Sequence, residues 1–547
     1  MKIHITLLLS VLSAATIAAH PIASSDTINR TVLVESTYNP IVAGAVKRNF
    51  IPEIIEPSMK KETIVYAADG QPITRFERIP DAVKAADIEQ EKMLPGYLHL
   101  GYGNYNNFSG LAAYKFNFNT NNSLSLNGHA TGWNGKYNTP YTDSSWRSYM
   151  RDMGVDATYR LHMGSADLSI GFSGVNYAYN YLTADYFTGD TDKQLANRLQ
   201  GNICLQGRLA DRYHYQFHSD YTYFGRNSIL GQSLHNSEGH LHSGASLSAD
   251  LSGWGVASVA LYSDLLRYQG LESCQGYHAW GVNPRWDYRH GDFRFVAGAH
   301  LDFLYQGKTT KLQTSPDCKV YYLPASAFSA VLTVDGGREL PTFSALHTRS
   351  PYWAVYEQLN SSYTYVNAHL AGNLRITEGL HLHLGAGHKV VDNAFFEIPY
   401  CYIDDIAYTG LLNNDAHLAY ADTRLSYIYK DFLNLSAEAT YNHWMLQGDY
   451  SPLLRMPRFD SRLNARVRII QGLHLTTAYR FVMFTQMDGQ EASETPINNW
   501  DLGLHYTMNG SRSFFLEGHN LLNRHYQYYA GYPSQGINVL AGFVFKF

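Results

Sequence analysis

Apolar and polar side chains alternate along many stretches of this chain, and the pattern is clearest in its last twelve residues. One face of that predicted strand carries Val539, Ala541, Phe543, Phe545 and Phe547. The opposite face carries Leu540, Gly542, Val544 and Lys546. Since successive side chains of a strand point to opposite faces, the first face is suited to lipid and the second to a lumen.

The same alternation recurs upstream, in residues 292–303, 433–441 and 462–469. In the third stretch the polar positions include Arg462, Arg466 and Arg468, and aliphatic residues lie between them. A charged face of this kind must be in contact with water, because burying unpaired charges is very costly. The pattern therefore predicts strands of a transmembrane β-barrel with lipid outside and a wet lumen inside.

Short turn signals divide residues 95–547 into pairs of strands. We place these turns at residues 120–122, 164, 210–211, 252–253, 291, 324, 378–379, 430–431, 471–472 and 509–510. Ten turns on one side of a membrane, with both chain ends on that side, predict an all-β, antiparallel barrel of about 22 strands. The connections on the other side are longer and rich in Tyr, Asn and Asp, at residues 131–147, 182–192, 225–236, 337–352, 391–414, 447–454 and 485–498. We expect them to be external and to face ligands.

Composition favours a barrel over the other classes of protein. The 547 residues include 43 Tyr and 25 Phe but only 16% charged residues, and a barrel uses aromatic residues in girdles at both membrane interfaces. After the first 19 residues, no stretch approaches the roughly 20 consecutive apolar residues that a membrane helix needs. The net charge of −5 provides no basic surface for nucleic acid.

Three segments can be distinguished along the chain. Residues 1–19 combine Lys2 with an apolar run that ends in small residues, which predicts a secretory signal peptide. Residues 20–94 are interrupted by six prolines and have no sustained periodicity, so we expect an extended N-terminal segment. Residues 95–547 form the predicted barrel.

Several polar residues on the predicted inner faces are candidates for chemistry. His381 and His383 share one face of a strand, with His300, His474 and His505 in equivalent positions. Imidazoles spaced in this way can bind a metal, but a wide lumen must be lined by polar side chains, and we predict lining and no metal site. The three arginines named above either attract an anionic solute or pair with inward carboxylates such as Glu438 and Asp501.

No pattern points to catalysis. The chain has no Gly-x-Ser-x-Gly, His-Glu-x-x-His or phosphate-binding glycine loop, so we expect neither an enzyme nor a cofactor. The four cysteines have no metal-ligand spacing. Cys274 and Cys318 are expected in neighbouring external loops. They either form a disulfide, which the exported environment permits, or remain unpaired.

The C-terminal region resembles a known family. It contains, in order, Asn520, Leu521, Leu522, Asn523, Tyr526, Pro533, Gly536 and Phe547. This order resembles the end of TonB-dependent receptors, where an Asn-Leu-apolar-Asn-x-x-Tyr motif, a Pro/Gly loop and a final Phe strand follow one another. Ile537 stands where the family often has Arg. The resemblance implies a 22-strand barrel over residues 95–547, located in the outer membrane, and passage or uptake of a solute.

The N-terminal region departs from the family. Family members carry a large plug domain inside the barrel, whereas residues 20–94 show no plug-like pattern, and we expect a plug-less relative of the Bacteroidetes type. Two strings, Thr31–Glu35 and Glu62–Tyr66, resemble the TonB box, which pairs edge-on with a strand of TonB. The alternative is a tail that packs in the barrel mouth or in a partner's groove.

Two functions therefore remain open at this stage. The first, which we prefer, is solute passage or uptake across the outer membrane. The second is a scaffold that docks periplasmic or surface proteins. The expected partners are outer-membrane lipid, a periplasmic protein (TonB or another) bound through residues 20–94, and a surface lipoprotein.

Overall fold

A computed structural model describes most of the predicted barrel. The described residues are 94–138, 145–182, 193–210, 212–227, 235–270, 274–325, 327–355, 360–403, 406–446, 455–485 and 495–547. The predicted signal peptide, the N-terminal segment and both TonB-box-like strings lie outside them. Among the described residues, no helix is long and apolar enough to cross a membrane.

Strands account for most of the described residues. In chain order they are β1 (Gly96–Gly103), β2 (Phe108–Asn117), β3 (Asn122–Asn138), β4 (Ser145–Met163), β5 (Ala166–Tyr179), β6 (Gln194–Leu209), β7 (Tyr213–Asn227), β8 (His235–Asp250), β9 (Val256–Gln269), β10 (Tyr277–His290), β11 (Phe293–Gln306), β12 (Thr309–Pro316), β13 (Cys318–Ala325), β14 (Phe328–Glu339), β15 (Trp353–Val355), β16 (Ser362–Arg375), β17 (Leu380–Ile403), β18 (Ile406–Tyr429), β19 (Leu433–Leu446), β20 (Pro457–Ile470), β21 (Leu473–Phe484), β22 (Ile497–Asn509), β23 (Arg512–His519) and β24 (Asn538–Lys546). The described residues also contain an α-helix, α1 (Phe343–Arg349), which precedes β15.

The strands close into an antiparallel barrel. Each wall strand pairs with the next wall strand in the chain, and β1 pairs with β24, with Tyr97 opposite Lys546. β12 and β13 are two halves of one wall strand, since both pair with β11. β15 lies outside the ring and pairs in parallel with β18. The described residues thus form the predicted barrel of 22 strands.

The short turns lie where the sequence places them. Nine of the ten predicted positions lie between consecutive wall strands or include only the end residue of one, and Pro324 lies in β13, directly before the turn to β14. Gly472 illustrates the constraint on such turns. It has φ +80°, and a Cβ there would lie 2.5 Å from the carbonyl oxygen of Thr507, so only glycine fits without strain.

The two faces of the wall also match the sequence pattern. Phe543 on β24 is 41% exposed and Leu301 on β11 is 37% exposed, as lipid-facing side chains are in the absence of lipid. Asp302, the next residue of β11, is fully buried inside the barrel and accepts a hydrogen bond from Tyr363 at 2.8 Å. An apolar exterior around a polar interior is the arrangement of a transmembrane barrel.

Several predicted loops are instead strands. Most of residues 391–414 belong to β17 and β18, which are 24 residues long each and extend past the other strands. Much of residues 131–147 lies in β3 and β4. The polar residues there suggested loops, but cross-strand pairing satisfies their backbone groups equally well.

The cysteine prediction was partly wrong. Cys318 is the first residue of β13 and lies in the barrel wall, so it is not in an external loop. Cys274 lies in the connection before β10, and neither residue is in a disulfide, nor is Cys204. The structure therefore contains no disulfide between Cys274 and Cys318.

The lipid face of β24 can be tested with a matched pair of variants. Phe543→Arg places a charge in the bilayer and should lower the stability of the folded barrel by about 2–4 kcal/mol. Val544→Arg places the same charge in the lumen and should have a much smaller effect. The fraction of protein that migrates faster on unboiled than on boiled SDS gels measures folding. Equal loss in both variants would contradict the facing of β24.

Candidate functional site

Among the described residues, three parts of the chain close the external mouth of the barrel. The first is the hairpin tip, residues 406–412 of β18, which extends beyond the wall. The second is the crossing segment, residues 340–355, which contains α1 and β15. The third is the β23–β24 segment, residues 520–537. The sequence predicts an external loop at residues 337–352. Residues 520–537 contain the Asn-Leu-apolar-Asn-x-x-Tyr motif and the Pro/Gly loop of the family resemblance, but no closing role follows from that motif.

The hairpin tip reaches the opposite wall. The backbone N–H of Ala407 donates to the carbonyl oxygen of Leu182 at 2.9 Å, and the rings of Tyr181 and Tyr408 lie 4.9 Å apart. Leu182 lies three residues after the end of β5, and β5 and β18 are eleven positions apart in the ring of 22 strands. The tip therefore crosses the full width of the mouth.

The first turn of α1 is fixed by a carboxylate from the wall. Glu238 of β8 is 1% exposed and accepts hydrogen bonds from the backbone N–H groups of Phe343 and, at 2.7 Å, of Ser344. Thr342 caps the same turn by accepting from the N–H of Ala345 at 3.1 Å. Backbone N–H groups that a helix leaves unpaired at its start are thus satisfied by the Glu238 carboxyl group and the Thr342 hydroxyl.

The other end of the crossing segment is held at two walls. The Arg226 guanidinium of β7 lies 3.3 Å from the ring centre of Trp353 and donates to the carbonyl oxygen of the same residue at 3.0 Å. On its other side, Trp353 pairs with Thr409 of the hairpin tip. Because β7 and β18 are nine positions apart, the segment joins nearly opposite parts of the barrel.

The β23–β24 segment completes the closure through one tyrosine. Tyr532 stacks on Tyr352 with ring centres 3.4 Å apart and contacts Trp146 of β4 at 5.6 Å. Its hydroxyl donates to the carbonyl oxygen of Ala407 at 2.6 Å. Tyr532 therefore connects all three closing parts with the wall.

These contacts build one apolar cluster, which we call the mouth cluster. It consists of Trp146, Tyr179, Tyr181, Ala196, Phe224, Cys274, Phe343, Leu346, Tyr352, Trp353, Ala354, Tyr408, Leu411 and Tyr532. Full burial of one large apolar side chain contributes roughly 1.5–3 kcal/mol. The closed mouth is therefore a packed core and not a loose cover.

Burial changes the acid–base behaviour of groups in the closing segments. It raises the pKa of Tyr532 and raises that of Tyr529 to about 12. Burial also lowers the pKa of His347 in α1 to about 3, and the positive charge of Arg226 acts in the same direction. The cluster therefore contains neutral rings at neutral pH.

Below the mouth, the lumen wall carries repeated pairs of histidine and carboxylate. The ring-nitrogen to carboxylate-oxygen distances are 3.0 Å for His129–Asp152, 2.9 Å for His240–Asp264, 2.7 Å for His242–Asp264, 2.9 Å for His369–Asp422 and 3.0 Å for His383–Asp422. Asp264 and Asp422 each contact two imidazoles. Hydrogen-bonded polar groups of this kind make the lumen wall suitable for contact with water and polar solutes.

The histidines named from the sequence lie on this wall in separate places. His383 contacts Asp422 as above, His300 contacts the amide of Asn283 at 2.9 Å, and His474 is the cross-strand neighbour of His505. Among the described residues, no group of three or more His, Cys, Asp and Glu side chains has the geometry of a metal site. The role of these histidines as lining stays a prediction.

The named arginines do not form a ring of one charge. Arg462 lies 4.0 Å from Asp460, and Arg468 lies 3.6 Å from Asp431. Glu438, expected as a partner of these arginines, instead pairs with Arg424 at 2.8 Å. The other expected carboxylate, Asp501, accepts from the backbone N–H of Asn520 at 3.0 Å and so anchors the β23–β24 segment.

One sequence signal for the inward segments was available. Residues 526–532 contain four tyrosines, and residues 343–353 contain a phenylalanine, a tyrosine and a tryptophan. An external loop with so many aromatic residues would expose a large apolar surface, which water-soluble surfaces avoid. Inward folding removes that surface.

Comparisons with known proteins show what this fold resembles. No model of a protein family matches the chain, and no curated protein matches it. The barrel is similar to the FrpB iron transporter of Neisseria meningitidis, with a TM-score of 0.67 at 12% identity over 84% of this chain and 82% of that one. It is also similar to the ferric enterobactin receptor PfeA of Pseudomonas aeruginosa, with a TM-score of 0.62 at 12% identity over 83% and 80%. The copper transporter OprC gives 0.59 at 11% identity over 84% and 81%.

These three proteins are TonB-dependent receptors. The fold implied by the resemblance at the C-terminus is therefore confirmed. The Bacteroidetes type stays a prediction.

Protonation of His347 should oppose closure. In the closed mouth its pKa is about 3, whereas an exposed imidazole has a pKa of about 6.5. A displaced segment therefore binds a proton below about pH 6.5 and the closed one does not, so closure loses about 2 kcal/mol between pH 7.5 and pH 5.

We expect hydrogen–deuterium exchange to detect this loss. On lowering the pH from 7.5 to 5, residues 343–355 should lose about 30-fold more protection in the wild type than in His347→Phe. Other titrating groups are the same in both proteins, so the difference isolates this ring. If protection of residues 343–355 falls equally with pH in the wild type and in His347→Phe, the proposed effect of His347 protonation is wrong.

Proposed function

We propose that this protein carries a solute across the outer membrane through a barrel whose external mouth is a gate made of its own chain. The observation that supports this most strongly is the mouth cluster, which closes a wide lumen by contacts between residues far apart around the wall. A 22-strand barrel is too wide to be filled by wall side chains. A scaffold would not need such closure, whereas a passage must prevent leakage.

The attachment of the gate favours reversible opening. The crossing segment is fixed at a few defined points, through Glu238 and Arg226, and the hairpin tip is fixed through Ala407. A solute that competes for the aromatic surface or for these polar groups would release the segment, since a ligand shifts a conformational equilibrium by its differential affinity. The polar wall beneath would then conduct the solute inward.

The proposed transport involves partners but no catalytic reaction. We propose that residues 20–94 contact a periplasmic protein, with TonB as the first candidate, and that the apolar exterior contacts outer-membrane lipid. A surface lipoprotein that covers the mouth belongs to the same proposal. The similar proteins are named as transporters or receptors for iron, ferric enterobactin and copper, and we assign this chain transport without a catalytic step.

Removing the gate should open the pore. Replacement of residues 343–354 by a short Gly-Ser linker should raise single-channel conductance in planar bilayers by at least about tenfold, because the barrel is then open. Glu238→Ala should give intermittent openings, since each lost hydrogen bond to a charged group costs about 1.5–3 kcal/mol. Glu438→Ala, which removes a wall carboxylate paired with Arg424 and away from the segment, is the control.

Heat-modifiable migration verifies that both proteins are folded and inserted. If neither the wild type nor the linker variant then conducts current, the proposed gate is contradicted. That result would favour the alternative in which the barrel is a scaffold.

The N-terminal segment can be tested separately. Replacing Val32 and Val34, or Ile64 and Val65, by proline removes backbone donors that strand pairing with TonB would need. Uptake driven by the proton-motive force should be lost while barrel assembly is unchanged. Loss of a different periplasmic partner from pull-downs, with uptake intact, would support the scaffold. If neither uptake nor partner recovery changes, the segment binds neither TonB nor another periplasmic partner through these strings.

A further inference from the structure

The lumen face of β7, β8 and β9 carries an unusual concentration of histidine and aspartate. Asp220, His242 and Asp264 are direct cross-strand neighbours in one row. His240 lies two residues before His242 on the same face, and His218 two residues before Asp220. The outward residues of the same strands are apolar, with Tyr221, Leu241 and Leu261 all exposed to lipid. The row therefore faces the lumen.

Two imidazoles in this group face each other through their Nε2 atoms. The Nε2 atoms of His218 and His242 are 3.2 Å apart. A metal ion held by two imidazoles has metal–nitrogen distances of about 2.0–2.1 Å, which in tetrahedral geometry places the two nitrogens about 3.3 Å apart. The observed separation matches that spacing.

The tautomer of one ring is set by a carboxylate. His242 Nδ1 lies 2.7 Å from Oδ1 of Asp264. A carboxylate only accepts hydrogen bonds, so Nδ1 carries the proton, and in the neutral ring the lone pair is on Nε2, directed at His218. Asp264 is itself fixed by His240 at 2.9 Å. A carboxylate that orients a histidine in this way is the usual support of a metal ligand.

A glycine makes the approach of the two rings possible. His218 lies opposite Gly244, and a Cβ at that position would be 2.3 Å from Cε1 and 2.7 Å from Nε2 of the His218 ring. Any larger residue would therefore displace the ring. The site also remains open to the lumen, since the His242 side chain is 35% exposed.

We propose that His218 and His242 form a binding site for a divalent transition-metal ion such as Zn²⁺ or Cu²⁺. The two Nε2 atoms are the protein ligands, and water or a solute occupies the other positions, as in an open site. Asp264 orients His242, and the carboxylates of Asp220 and Asp264 supply negative charge close to the cation. The site lies four residues, or roughly 13 Å, along β8 from Glu238, below the closed mouth.

Copper and zinc binding to the full-length protein in detergent tests this site without any transport assay. The electron paramagnetic resonance spectrum of bound Cu²⁺ should show hyperfine splitting from two nitrogens. Zn²⁺ affinity by calorimetry should fall at least about 100-fold in His218→Gln and in His242→Gln, and about 10–100-fold in Asp264→Asn. Binding should weaken from pH 7.5 to pH 5.5, because metal-bound imidazoles must be unprotonated.

Two further variants separate the site from the other histidines. Gly244→Ala removes no ligand but should weaken binding as much as loss of His218, because it displaces that ring. His383→Gln removes an imidazole from another histidine–aspartate pair of the same lumen and should leave the affinity unchanged. Heat-modifiable migration confirms that each variant is folded.

Absence of Zn²⁺ binding to the wild type would overturn the proposal. So would unchanged affinity in His218→Gln and His242→Gln, or a Gly244→Ala variant that binds as tightly as the wild type, because the facing rings would then not hold the ion. A direct hydrogen bond between two neutral imidazoles would be the remaining explanation of their contact. None of these outcomes bears on whether the barrel conducts a solute.

Discussion

The need to pair every backbone N–H and C=O group inside a bilayer governs this structure. Strands can meet that need only if the sheet closes on itself, since an open edge would leave unpaired groups in lipid. Here β1 pairs with β24 through residues such as Tyr97 and Lys546. Once the wall is closed, its outer side chains must be apolar, and its inner ones are free to be polar.

Closure of a wide barrel creates a second problem, which is an open lumen. The chain resolves it at the external end by folding aromatic segments inward. These segments bury tyrosine and tryptophan rings that would otherwise lie exposed, and the hydrophobic gain offsets the entropy of ordering long connections. The remaining polar groups are satisfied by wall residues such as Glu238 and Arg226. The closed mouth is thus a small core surrounded by the barrel wall.

The polar interior below the closed mouth also has to satisfy its polar groups. Imidazoles and carboxylates on neighbouring strands hydrogen-bond to each other, so that few charges face the lumen alone. Most of these pairs need no further ligand. The facing rings of His218 and His242 differ, because a carboxylate directs the lone pair of one ring at the other. An ion at this proposed site would lie between the closed mouth and the periplasmic end.

The sequence by itself determined the wall. Alternation of side chains identifies the lipid face of Phe543, and turn residues such as Gly472 fix the strand ends, because both signals are local in the chain. It could not determine which external connections fold inward. The contact of Tyr532 with Trp146 and the approach of His218 to His242 depend on which strands lie opposite or adjacent and on space at Gly244. Such contacts join residues distant in the chain, and only the closed barrel brings them together.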